Sequence, residues 1–323
     1  MSEHFIKNIE IKNFKCFEDF KADGFGRVNL IGGKNNVGKT AFMEAVFIAS
    51  FNDKLKYSMD DIVPFLAIES FRNILDINNK VHSSHFIDIF DKYDKLEIKQ
   101  NNNLISFSKV KKGFEEIFFI NKKETYAKRE VDTYVLITQK FNNFIPSYMI
   151  GNKLIIDIFD KIKAERKREK LNQILNEFDS NILEFDIIEE KPQVFLTTID
   201  KFHDVAELGH GLKRYMAIIS SILINKDGFL FLDELENGIH YTHLDKLWEI
   251  ILTISKKQNV QVFATTHSKE CIESYVRVAK KLEDDNINFI ELGRDKNDNL
   301  KAIVMDNKRL YRELDNGNGV RGW

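Results

Sequence analysis

The sequence predicts an α/β protein: a mixed sheet with flanking helices, carrying a β-rich and helical inserted lobe. Three observations support this. The apolar run Val28-Asn29-Leu30-Ile31 leads into GKNNVGKT at Gly33 to Thr40, and then into AFMEAVFIASF, a stretch free of glycine and proline. Two later segments, GFLFLDELENGIH at 228–240 and VQVFATTH ending at His267, also read as buried strands with polar ends. From about 55 to 205 the pattern changes to short β-like runs such as LEIKQ, LISFSKV and EEIFFI, separated by Asn, Lys and Gly clusters. The expected division is a head, 1–54 and 206–323, and an inserted lobe, 55–205.

In chain order, residues 4–31 read as paired strands, with Ile9 and Ile11 alternating with charge and Gly24 and Gly26 marking a turn. The glycine-rich segment follows. Gly33 and Gly38 let the backbone curl so that amide N–H groups across Lys34, Asn35, Asn36 and Val37 face an anion, and Lys39 reaches terminal phosphates. Thr40 offers its hydroxyl to a magnesium ion. Phe42, Ala45, Val46 and Ala49 recur at helical spacing, so a helix follows with its positive end toward the phosphates.

Within the insertion, residues 154–178 hold neither Gly nor Pro. Ile155, Ile158, Phe159 and Ile162, then Leu171, Ile174, Leu175 and Phe178, form two helical apolar stripes. The joining stretch KAERKREK reads as a solvated helix face, because Glu165 and Glu169 are interleaved with its cations at pairing distance. Further on, ELGHGLKRYMAIISSIL places Gly209 and Gly211 before a helix with Leu212, Tyr215, Met216, Ile219 and Leu223 on its buried side. The strand at 228–232 then presents Asp233, to hold magnesium, and Glu234, to polarise an attacking water. His267, at the end of the third strand, is placed to hydrogen-bond a γ-phosphate.

Composition excludes several classes. At 323 residues and 43% hydrophobic content the chain buries a large core. A formal charge of −2 with 30% charged residues creates no global field favouring nucleic acid or a membrane. Cys16 and Cys271 lie in unrelated segments and form neither a metal pair nor a disulfide framework. The polar start lacks a signal-peptide core, and no apolar stretch approaches the roughly 18 residues of a membrane span. A cytoplasmic protein without a membrane partner is expected.

Together these segments resemble the ATP-binding-cassette class of ATPases, and within it the AAA-family branch related to RecF, SMC and the overcoming-lysogenization-defect (OLD) nucleases. IEIKNFKCFEDF looks like that branch's first strand pair, GKNNVGKT like its Walker A, ELGHGLKR like its signature loop, FLFLDELENGIH like its Walker B and D-loop, and ATTHS like its His switch. The resemblance implies an ABC-type P-loop head that uses ATP and magnesium. It also implies a homodimer or higher oligomer in which Leu208, Gly209, His210 and Gly211 of one copy meet the ATP held by the other. The family's LSGGQ serine is absent here, leaving His210 or backbone amides for that contact. Gln139 is the only candidate offered for the glutamine loop.

Three functional readings follow: an ATPase subunit of prokaryotic phage defence or DNA maintenance working with an effector, a RecF-like ATPase binding duplex DNA directly, and an ATP-dependent scaffold with little turnover. Glu234 beside Asp233 counts against the scaffold, and the lack of a basic stripe counts against direct DNA binding. OLD relatives carry a TOPRIM nuclease domain after the ATPase. The stretch after His267 is short for such a domain, and Glu283, Asp284, Asp285, Asp295 and Asp298 read as acids of solvated loops. The effector, plausibly a nuclease, is therefore expected on another chain.

Overall fold

The computed structural model describes residues 4–50, 80–82, 95–101, 103–112, 115–120, 123–128, 134–136, 143–147 and 150–316. Gln139 lies outside them. The chain begins with an antiparallel pair, β1 (Asn8–Phe14) and β2 (Phe17–Asp23), with Ile11 opposite Phe20. The fully buried strand β3 (Val28–Gly33) feeds through the glycine-rich loop into α1 (Lys39–Ala49).

The next strands do not stand apart. After β4 (Lys80–His82), β5 (Lys95–Gln100) pairs antiparallel with β1, placing Ile98 opposite Ile11. Then β6 (Asn103–Lys112), β7 (Glu115–Ile120) and β8 (Lys123–Lys128) extend the same sheet by hairpins, in the order β2-β1-β5-β6-β7-β8. A short β9 (Tyr134–Leu136) pairs with β4, and β10 (Phe144–Ile145) joins the edge of the central sheet. Of the strands described within 55–205, β5 to β8 and β10 are thus built onto the head's own sheets, whereas β4 and β9 form a two-stranded sheet of their own.

Two helices follow, α2 (Asn152–Ala164) and α3 (Arg168–Phe178), and both bury the stripes read from the sequence. Their packing partner is the main core rather than a separate lobe: Phe178 stacks on Tyr215 at 3.5 Å between ring centroids. Three cations of the basic joint between the helices are paired with acids. Lys163 pairs with Asp160 at 3.2 Å and Lys167 with Glu165 at 2.6 Å, while Arg168 turns to Glu184 and Asp186 on the following strand. That strand, β11 (Ile182–Ile188), forms a small antiparallel sheet with β12 (Lys191–Leu196) and β13 (Lys201–Asp204).

The central sheet is completed by the C-terminal part of the chain. The helix α4 (His210–Ile224) precedes β14 (Phe229–Leu232), α5 (Leu244–Gln258) precedes β15 (Gln261–Thr265), and α6 (Lys269–Lys281) precedes β16 (Ile287–Arg294). An antiparallel edge strand, β17 (Leu300–Asp306), and a closing helix, α7 (Asn307–Asp315), end the described chain. The order is β10-β14-β15-β3-β16-β17, parallel except for β17.

Alternate residues of these strands face opposite sides. Leu30, Leu230, Leu232, Val262 and Phe289 enter the core under α2 to α6. Ile31, Phe231, Phe263, Ile290 and Leu292 face α1 and, beyond it, the β1-β2-β5 sheet. Because α1 lies between two sheets, every residue from Lys39 to Ala49 except Thr40 is buried, which goes beyond the single apolar face its spacing suggested. Among the described residues no helix is long and apolar enough to cross a membrane.

One expectation is corrected. Asp284, read as a solvated loop acid, is 5% exposed and pairs with the buried guanidinium of Arg27, which also donates to Ser255 Oγ and to the Leu252 carbonyl. The pair ties β3 to α5 and to the loop after α6. By contrast, Glu283 and Asp285 are exposed, and Asp295 accepts from the Asn297 and Asn299 amides in a surface turn. Asp284→Ala leaves a buried cation unpaired and should lower unfolding free energy by about 3–5 kcal/mol, measured by chemical denaturation.

Candidate functional site

The strands β3, β14 and β15 run parallel, so the segments leaving their C-terminal ends converge at one edge of the sheet, where ligands of open α/β folds bind. From β3 comes the glycine-rich loop. Asn36 sits in the left-handed region at φ 60°, and Gly38 caps α1 at φ 102°. A Cβ at Gly38 would lie 2.7 Å from Cys16 Sγ, so both the backbone angle and the close approach require glycine. Lys34, Asn35 and Asn36 are exposed, while Val37 anchors the loop in the core.

Lys39 is 4% exposed and its ammonium donates to the Gly33 and Lys34 carbonyls at 2.9 and 2.8 Å, bracing the loop from inside. Burial pulls its pKa down to about 8, against the opposing pull of Glu234, Asp233 and Glu236. Thr40 points toward β14, with its hydroxyl 3.2 Å from Asp233 Oδ1. Asp233 is 7% exposed; the same oxygen accepts from Thr265 Oγ1 at 2.7 Å, and its amide donates to the Ile145 carbonyl at 2.9 Å.

Glu234 adopts φ 47°, and its amide donates to Thr265 Oγ1 at 2.7 Å. Its carboxylate, 40% exposed, stands 3.5 Å from His267 Nε2. Asp233 and Glu234 are thereby gathered around Thr265, which bridges both acids and has no role in the reading from sequence. Glu236 was also missed: its Oε1 accepts from the His267 and Ser268 amides at 2.8 and 3.1 Å, fixing the turn that carries His267. Ser268 then caps α6 by accepting from the Cys271 amide at 3.1 Å. A third carboxylate in DELE was the available signal for Glu236.

The loop 208–211 is placed differently. Leu208, Gly209 and His210 are exposed, and α4 starts at His210 after Gly209 at φ 101°. Gly211 packs against the segment after the acids, where a Cβ would fall 2.3 Å from the Gly238 carbonyl oxygen.

Among the described residues no group of three or more His, Cys, Asp or Glu is preformed to hold a metal. The pair that is present fits magnesium. A hydroxyl and one carboxylate, 3.2 Å apart beside the glycine-rich loop, are hard oxygen donors that leave positions for water and phosphate oxygens, as that ion prefers.

A likeness in fold gives the class. An Smc head bound to the C-winged helix domain of ScpA superposes with a TM-score of 0.58 at 12% identity, covering 95% of this chain and 99% of that one. An Smc head with an extended coiled coil bound to the C-terminal domain of ScpA, derived from Pyrococcus furiosus, gives 0.55 at 10% identity, covering 97% and 99%. This is an ABC-class ATPase head in fold. The family follows from sequence: a profile described as AAA domain, putative AbiEii toxin, Type IV TA system matches residues 77–273, more than half the chain, and the chain belongs to that AAA family. The match takes in 208–211, Asp233, Glu234 and His267, with the loop at 33–40 upstream of it. A Helicobacter pylori protein named ATP/GTP phosphatase is 25% identical over 329 residues, spanning 85% of this chain and 89% of that protein.

Proposed function

We propose that this chain is an ATP-hydrolysing subunit that dimerises around ATP and governs a separate effector or a DNA transaction, in prokaryotic phage defence or DNA maintenance, on the branch related to RecF and OLD proteins. The observation that carries the reading is the convergence of Lys39, Thr40, Asp233, Glu234 and His267 at one sheet edge, with Thr40 and Asp233 at 3.2 Å and Glu234 and His267 at 3.5 Å.

In this reading the amides of residues 34–38 hold the phosphates, and Lys39 exchanges its two loop carbonyls for phosphate oxygens. Thr40 and Asp233 would hold magnesium, which when bound would supply positive charge against the phosphates. Glu234 accepts the proton of the attacking water, and His267 directs Nε2 at the γ-phosphate. Leu208 to Gly211 of a second copy complete the site, with the amino end of α4 adding positive potential where charge develops. The head is 1–54 and 206–323, and 55–205 is its specific insertion.

The name of the Helicobacter pylori relative supports hydrolysis, and the family description supports a conflict setting. The ScpA domains on the two Smc heads support a protein partner for this head.

Mixed dimers test the shared site. Gly211 has no room for a side chain, so the exposed His210 is the position to change. Lys39→Ala and His210→Asp subunits, each inactive alone, should recover turnover when mixed, because one composite site then combines both lesions and the other is intact. No recovery at any ratio would argue for hydrolysis within one subunit, or for obligatory coupling of the two sites. Incubated alone with plasmid, single-stranded DNA and RNA in magnesium or manganese, with and without ATP, the purified protein should leave all three uncut. Cleavage that co-purifies with it and is lost on Asp295→Ala would make the chain its own effector.

A further inference from the structure

Arg214 lies one turn into α4, three residues after Gly211, and is 4% exposed. Its guanidinium is spent entirely on backbone carbonyls. Nη1 donates to Pro146 at 2.7 Å, Nη2 to Asp233 and, at 2.8 Å, to Glu234, and Nε to Leu235 at 3.2 Å. None of these partners is a carboxylate. Burial lowers its pKa to about 10, so it stays charged at neutral pH.

A buried cation held by main-chain dipoles is costly to place and is retained where it fixes a backbone. Here the fixed backbone is that of Glu234. One nitrogen, Nη2, holds the carbonyls on both sides of the Glu234 α-carbon, while Thr265 Oγ1 accepts from the Glu234 amide at 2.7 Å. Glu234 sits at φ 47°, a left-handed conformation that a non-glycine residue keeps only when its surroundings impose it. Gly211 gives α4 a second attachment to the same segment through its contact with Gly238. The helix that carries the exposed 208–211 loop is therefore fastened, one turn in, to the acid of its own head.

We propose that Arg214 is a positioning residue for Glu234, and that through it the seating of the 208–211 loop against a partner copy sets the acid in its own site. The inference rests on the proposed function above. Within a dimer, the loop of each head contacts the nucleotide of the other, so Arg214 makes occupancy of one site felt at the acid of the other.

The test uses the full chain. Arg214→Lys keeps the charge but cannot span the four carbonyls. With a melting transition like the wild type, it should bind ATP within about threefold of wild-type affinity, lose at least about tenfold in kcat at unchanged KM, and give a Hill coefficient for turnover that falls to one. In a Glu234→Gln background it should cause no further loss, because residues acting through one group do not multiply their effects. The inference is overturned by losses that multiply in the double variant, or by an Arg214→Lys protein whose ATP affinity falls while kcat is kept. A wild-type kcat in Arg214→Lys would do the same. Should the variant fail to fold, the wild type decides: a Hill coefficient of one at concentrations where it is dimeric overturns the link. The proposed function fails on different results, namely a wild type that does not hydrolyse ATP or a Glu234→Gln protein with full turnover.

Discussion

Glu234→Gln should retain ATP in the presence of magnesium and lose about 10²–10⁴-fold in turnover, the contribution expected of a positioned general base. The amide matches the carboxylate in size but cannot accept a proton from water. The main-chain bonds that hold this residue, from its amide to Thr265 and from Arg214 to its carbonyl, do not involve the replaced group and survive. Phosphate release measures the loss, and light scattering measures its corollary, a dimer that persists with ATP. An unchanged mass with and without ATP, together with unchanged turnover, would dismiss both the role of Glu234 and the shared site.

Lys39→Ala should weaken ATP binding by about a hundredfold or more, equivalent to losing two charge-assisted hydrogen bonds at about 1.5–3 kcal/mol each. In the free protein the ammonium already bonds the Gly33 and Lys34 carbonyls, so the variant also loses an internal brace of the loop. The helix should nevertheless stand, because Phe42 to Ala49 are buried between two sheets whatever occupies position 39. Calorimetric titration of a protein with native circular dichroism checks both halves. Wild-type affinity in a folded Lys39→Ala protein would remove residues 33–40 from the site.

The local patterns legible in the sequence were those whose cause is local. Val28 to Ala49 announce a strand, a loop and a helix because an apolar run, glycine and helical spacing follow one another without interruption. The stripes of α2 and α3 were legible for the same reason. Partner choice was not. Nothing in LEIKQ says that Ile98 will lie opposite Ile11, since an alternating strand pairs equally well with many neighbours. Asp284 looked like its solvated neighbours because the cation that buries it is 257 residues away. Arg214 carried one faint signal, a charge beside the apolar face of a helix. Its partners are carbonyl oxygens, and these have no letter in a sequence.

The enclosure of α1 has a thermodynamic consequence. A loop whose following helix is packed on both sides has little conformational freedom left to surrender, so nucleotide arrives at a cradle that is already formed. Its binding should carry only a small change in heat capacity, without the large negative value of a segment that folds around its ligand. Because α1 touches the central sheet and the β1-β2-β5 sheet together, the stabilisation should reach both at once. Saturating ATP should then raise a single melting transition rather than split it, by an amount that grows with the logarithm of ligand concentration.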